Sequence, residues 1–296
     1  GGNSGNQQDM RFCTLASMGD SVDGGGDLIV ATKGKPTGNS SSTRGVISGG
    51  RDHPGAAEVN IIQHHTIQSF GNAADFGDLL NPRSYSGGNC QSSTRGIIAL
   101  GFVAPNFSIV NTIDQVTMAT TGNTTNFGDL FQTRSNMASA SSPTRGFFAG
   151  GTTPANQGTI DFVTIASAGD AQDFGDLQEA VSSPMALASS TRGIIGGGYP
   201  APTNTNVINF ITIASAGNAS DFGDLTGLYS VGSAVSNKTR GVFTGGYTAP
   251  TKHNLMEFVT ISTTGNASDF GDMLYGRRAV SYTHLRAHET DSYLVC

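Results

Sequence analysis

Two charged residues recur through this 296-residue chain at a spacing that could build a ligand site. Arginine stands in a Thr-Arg-Gly triplet at Arg44, Arg95, Arg145, Arg192 and Arg240, and aspartate closes a Phe-Gly-Asp triplet at Asp78, Asp129, Asp176, Asp224 and Asp272. A ring of guanidinium groups would suit a carboxylate or phosphate, which the planar fork meets with two parallel hydrogen bonds. A residue required once per repeat is more naturally part of the repeat than of a single site. Each arginine is therefore expected to hold an Asp or a turn carbonyl and lock one repeat to the next. The segment Gly-Asn-(Ala/Thr)-x-Asp-Phe-Gly-Asp offers clustered oxygens of the kind hard cations prefer, but its spacing is not that of an EF-hand loop and it lacks the closing Glu. Asx turns are the expectation there, and no metal or other cofactor is expected.

Histidine chemistry is thin. Adjacent His64 and His65 on a strand point to opposite faces and cannot easily share a metal; His53 and His253 stand alone. His284 and His288, followed by Glu289, have the i, i+4 spacing of a zinc-binding helix. They lie, however, in VSYTHLRAHET, residues 280–290, which resembles one reading frame of a transposase-type sequencing-library adapter. Residues 280–296 are accordingly read as a non-native tail, and residues 1–279 as one domain of a longer protein cut at both ends. No nucleophile elbow, phosphate loop or non-repeated pair of acids is present. Sialidase-type Asp boxes with Trp are missing from a chain that has no Trp. An enzyme is not expected.

Composition limits the rest. The chain has 41 Gly and 13% charged residues, about twice and half the ordinary shares, so it is rich in turns and poor in long helices. A net charge of −6 argues against binding nucleic acid through a basic surface. No run of about 18 apolar residues exists, so membrane insertion is not expected. Cys13, Cys90 and Cys296 give neither a disulfide framework nor a zinc spacing.

The elements that must position the recurring charges are repeats. The Thr-Arg-Gly triplet starts at Thr43, Thr94, Thr144, Thr191 and Thr239, with spacings of 51, 50, 47 and 48. A third anchor begins at Thr66, Thr117, Thr164, Thr212 and Thr260, and a weaker copy of the Asp anchor stands at Asp27. Each unit contains four β-rich runs separated by Gly, Asn, Ser and Pro, the signature of strands and turns. In the last complete unit these are predicted at 229–235, 240–246, 255–261 and 268–273. The third strand is apolar on both parities, with Ile208 and Phe210 pointing one way and Val207, Ile211 and Ile213 the other. A strand greasy on both faces must be covered on both sides, as in a sheet stacked between like sheets.

Four antiparallel strands every 49 residues or so fit the kelch period. The apolar run ending in Gly-Gly (Gly49-Gly50, Gly150-Gly151, Gly197-Gly198, Gly245-Gly246) and the later aromatic (Phe76, Phe127, Phe174, Phe222, Phe270) resemble kelch blades, with Phe where Trp is common. The consensus resembles the divergent kelch-like repeats of marine bacteriophage virion and tail-associated proteins. That resemblance implies an all-β propeller with four-stranded blades. Six blades are expected in this sequence if a final first strand near Arg277 joins the opening pair, and seven or more in the natural protein. It further implies a non-enzymatic structural or host-recognition module, located in the virion or outside the cell, whose partner is another virion protein or a cell-surface glycan. The alternative is a cellular kelch-type interaction scaffold, secreted or surface attached.

Length variation locates the face that would meet a partner. From the Thr-Arg-Gly Thr to the third-anchor Thr the distances are 23, 23, 20, 21 and 21, whereas from there to the Asp they are always 12. The variation therefore sits between strands two and three, in connections that each hold a proline: Pro54, Pro105, Pro154, Pro202 and Pro250. Loops carried by a rigid scaffold concentrate binding residues. Tyr199, Tyr247, Pro202 and Pro250 are the candidate contact residues, the tyrosines because amphipathic anchors are enriched at interfaces.

Overall fold

The structure, a computed structural model, describes residues 9–14, 20, 22–33, 36–52, 55, 57–69, 71–84, 88–99, 101–106, 108–276, 283–284 and 293–295. Among these there is no helix, and the chain forms six four-stranded antiparallel sheets with a few short hairpins. Five sheets follow chain order. The second runs Thr37–Ser40, Arg44–Ser48, Ile61–Thr66 and Ala74–Asp78, and the third Gly88–Gln91, Arg95–Ala99, Thr112–Thr117 and Thr125–Asp129. The fourth runs Ala138–Ser141, Arg145–Ala149, Gln157–Thr164 and Gln172–Val181, and the fifth Met185–Ala188, Arg192–Gly196, Val207–Thr212 and Ser220–Asp224. The sixth comprises Ser233–Ser236, Arg240–Thr244, Leu255–Thr260 and Ser268–Asp272.

The first sheet differs, because both ends of the chain enter it. Its order is Val22–Asp27, Asp9–Thr14, Tyr293–Val295, Thr283–His284. The segment set apart in the sequence thus supplies two of its strands. Arg277, where a last first strand was expected to begin, lies outside the described residues, as do His53, His288, Glu289 and Cys296.

In the sixth sheet the first strand begins at Ser233 rather than Tyr229. Val231 takes a left-handed φ of 59°, which ends extended backbone, and Ser230 instead bridges Tyr247. The other three strands of that sheet match expectation to within two residues.

The apolar core lies between sheets. Met118 and Val116 of the third sheet join Val46, Ile62 and Phe76 of the second, and Ile211 and Ile213 of the fifth join Phe147, Phe162 and Phe174 of the fourth. This is how a third strand that is apolar on both parities is satisfied: each of its faces meets either a neighbouring sheet or its own outer strand. The glycine of the Thr-Arg-Gly triplet permits the close approach. A Cβ on Gly146 would fall 2.4 Å from Cys90 Cβ of the sheet before.

First strands of successive sheets from the second to the sixth lie side by side, and Thr283–His284 adjoins both the second and the sixth. Side chains stitch this row together. Gln91 Nε2 donates to Ser40 Oγ at 2.9 Å, and Ser236 Oγ donates to the Ala188 carbonyl at 2.6 Å. Burial raises the Cys90 thiol well above its usual range, so this packed sulfur is not a nucleophile.

Candidate interaction surface

The recurring arginines are absorbed by the contacts between sheets, and the recurring aspartates join those contacts through their backbone. Arg44 Nη1 donates to the Met118 carbonyl at 3.1 Å, Arg95 to Ile165 at 2.7 Å, Arg145 to Ile213 at 2.9 Å and Arg192 to Ile261 at 3.0 Å. Each bond ends on a turn carbonyl of the following sheet. The guanidinium also lies over an aromatic ring of its own sheet, Phe162 for Arg145 at 4.8 Å and Phe258 for Arg240 at 4.8 Å. The preceding Ser orders the turn: Ser92 Oγ accepts the N–H groups of Thr94 and Arg95. Four guanidinium groups bonded this way, and Arg240 over its own ring, do not converge on one ligand.

The Phe-Gly-Asp segment works through its backbone. The N–H of Asp78 donates to Asn123 Oδ1 at 3.0 Å, Asp129 to Asp170, Asp176 to Asn218 and Asp224 to Asn266, always in the next sheet's turn. Asp27 does the same with Asn72, and Asp272 with Asp20 of the first sheet. Asn123, Asp170, Asn218 and Asn266 thus reach across a sheet boundary, while Asp269 Oδ1 accepts the Gly271 N–H two residues on, as an Asx turn does. The central glycine is required there: Gly128 has φ 155°, and a Cβ on it would sit 2.3 Å from the Gly169 carbonyl oxygen. These turns cover outer strands whose edges would otherwise be free to pair with another chain.

A second set of boundary residues escaped sequence reasoning. One position in each third strand, three residues before the closing Thr, is polar and buried: Gln63, Asp114, Asp161, Asn209 and Glu257. It serves the segment just after the repeat Asp of the preceding sheet. Gln63 Oε1 accepts the Val30 N–H, Asn209 Oδ1 that of Gln178, and Glu257 that of Thr226 at 3.2 Å. Asp114 and Asp161 each also meet a fully buried arginine, Arg83 at 3.0 Å and Arg134 at 2.6 Å. Burial pushes both carboxyls up and both guanidinium groups down from their usual values, and the opposite charge pulls each back. Burial also raises Glu257, to about 7, with Asp269 adding to the rise and Thr226 opposing it. The available signal was a polar residue in mid-strand paired with a residue five positions after the Phe-Gly-Asp aspartate: Arg83, Arg134, Val181 or Tyr229.

The remaining surface separates into two kinds. Turns between strands one and two are polar and internally bonded, and those between three and four are polar and bonded to the preceding sheet. Connections between strands two and three, and those leaving strand four, emerge at the opposite end of each hairpin. Tyr199 is 39% exposed and Tyr247 half-buried, while Pro202 and Pro250 are exposed. Both tyrosine backbones are fixed: Asn156 Nδ2 donates to the Tyr199 carbonyl at 2.6 Å, and Asn204 Nδ2 to that of Tyr247 at 2.7 Å. Among the described residues every exposed large apolar side chain lies in these connections. Ile29, Leu80, Phe131, Leu228, Leu274 and Tyr275 follow an outer strand, and Tyr199 lies between strands two and three. Phe131 is the most open, at 63%.

Charge on this end is low and partly self-cancelling, since Arg51 Nε meets Glu58 at 2.8 Å. No three His, Cys, Asp or Glu side chains converge among the described residues. His64 packs edge-on against Phe76 and His65 is buried in the sheet boundary. No protein-family model matches the chain, and no curated protein matches it.

Proposed function

We propose that the chain is a kelch-like β-propeller, with six blades in this sequence, that acts as a non-enzymatic binding module through the end bearing its varied connections. Three features support the ring. The first strands lie side by side, with Thr283–His284 beside both the second and the sixth sheet. The first sheet is built from both ends of the chain. The Asp-to-turn bond made between successive sheets recurs from Asp272 to Asp20. Closing a set of sheets into a ring removes edges that would invite association.

The observation that carries the binding role is the confinement of exposed large apolar side chains to one end. An apolar surface presented by rigidly held connections is a feature of interaction sites. With the resemblance of the repeats to phage kelch-like proteins, the reading becomes a virion or tail-associated module that docks another virion protein or a host-surface glycan. Aliphatic Ile29, Leu80 and Leu274 offer a sugar no hydrogen bond, which favours the protein partner.

The test measures binding of the full chain to glycan arrays and to the virion proteins encoded beside it. Replacing 199–204 and 247–252 by Gly/Ser, and separately Phe131 and Leu80 by Ser, is expected to weaken the interaction at least tenfold. Undiminished binding would reject the assignment of this end as the docking surface.

A further inference from the structure

We propose that the boundary between the fifth and sixth sheets is a pH-responsive latch: neutral Glu257 holds the connection 225–232 closed, and ionisation of Glu257 loosens it. Five sheet boundaries share the same polar position, and four of them solve its electrostatics. Gln63 and Asn209 carry no charge, and Asp114 and Asp161 each face a buried arginine. Glu257 is the exception. It is 2% exposed, and the position that holds arginine at those two boundaries is Tyr229 here.

Among the described residues, the groups packed around this carboxyl offer no compensating cation. From the connection, Thr226 donates its N–H to both carboxyl oxygens and its hydroxyl to Oε1. Tyr229 lies beside it, and the His253 ring stacks edge-on against Tyr229 with centroids 4.7 Å apart. Burial lowers the His253 pKa, so that imidazole stays neutral at pH 7. On the two flanking strands, the residues opposite Glu257 are Phe243 and Asp269. Among the described residues no Lys or Arg forms an ion pair with Glu257. Ionisation strengthens the Thr226 bonds, yet it leaves the charge buried beside another carboxylate, and burial outweighs the Thr226 donor, so an ionised Glu257 gains free energy by reaching water.

Opening the connection is the route to water. Thr226 is exposed, and the same connection carries Leu228, at 46%, on the proposed docking end. Its Tyr229 carbonyl accepts the Gly198 N–H at 2.8 Å, so loosening reaches the fifth sheet. The latch does not depend on what, if anything, docks there. A carboxyl kept neutral in the closed state and ordinary in the open state favours closing at low pH, and this preference is lost as pH rises toward and past neutrality.

The test is amide hydrogen exchange of residues 225–232 in the full chain between pH 5 and 8, corrected for intrinsic exchange. The opening constant of the wild-type connection is expected to rise on the order of a hundredfold. Glu257→Gln, which installs the side chain of Gln63, should abolish the rise. So should Tyr229→Arg combined with Glu257→Asp, which transplants the Arg134–Asp161 arrangement. A flat wild-type profile, or an undiminished rise in Glu257→Gln, overturns the proposal. Should both variants fail to fold, carbon NMR titration of Glu257 in the wild-type chain decides: a midpoint in the ordinary carboxylate range overturns it, and one near neutrality supports it.

Discussion

Ser139 is bonded to the backbone of Asn89 in both senses: its Oγ accepts the Asn89 N–H at 2.6 Å and donates to the Asn89 carbonyl at 3.0 Å. Two residues on, Ser141 does the same with Gln91. Adjacent first strands belong to different sheets and share no backbone ladder, so a short hydroxyl side chain supplies the missing partners. Serine suits this because its oxygen both donates and accepts within one bond of Cβ.

Ser139→Ala tests that seam. Alanine stands at the equivalent positions Ala186 and Ala234, so the space tolerates it and the hydrogen bonds alone are lost. A loss of about 1 kcal/mol is expected in urea unfolding, and about twice that for Ser139→Ala with Ser141→Ala. An unchanged midpoint for the double variant would show that water replaces both hydroxyls.

The close approach at Gly146 predicts a suppressor. Gly146→Ala puts a methyl group where Cys90 Cβ already lies, an overpacking that should cost about 1–3 kcal/mol. Cys90→Gly empties the same volume. Adding it to Gly146→Ala should recover part of the loss, seen as a non-zero, stabilising coupling energy in a double-mutant cycle; strict additivity would place the strain elsewhere.

Arg134 and Asp161 are both fully buried and 2.6 Å apart, so removing either leaves an uncompensated charge. Arg134→Val or Asp161→Asn alone should destabilise by about 3–5 kcal/mol in denaturant unfolding. The pair together reproduces the Val181 and Asn209 combination of the next boundary and should recover most of that. A double variant as unstable as the worse single one would mean the boundaries are not interchangeable.

His65 occupies the place held by Val116, Val163, Ile211 and Val259 in the other third strands. Burial lowers its pKa to about 4 from an ordinary 6.5, with the charge of His64 adding to the shift. The unfolded chain thus binds a proton at this site that the folded chain refuses. The stability His65 permits is full above pH 6.5 and falls as pH drops toward 4, by roughly 3 kcal/mol in all. His65→Val should flatten the thermal midpoint across that window. An equal acid slope in the variant would assign the sensitivity to other groups.

Much of the architecture was legible in one dimension because its causes are local. Runs of apolar residues and the invariant step of 12 from Thr212 to Asp224 define strands and tight turns five times over, and Gly-Gly ends do so four times. The varied spacing between strands two and three located the end on which Tyr199 is exposed. The contacts between sheets were decided only in three dimensions. Asn123 reads as a turn residue, yet its oxygen serves Asp78, 45 residues earlier. Whether Arg134 or Glu257 meets a counter-charge depends on which side chain the adjacent sheet presents. A strand's pattern records which face is buried, because burial acts on each residue singly. It does not record the partner across that face, because pairing is a property of two segments brought together by folding.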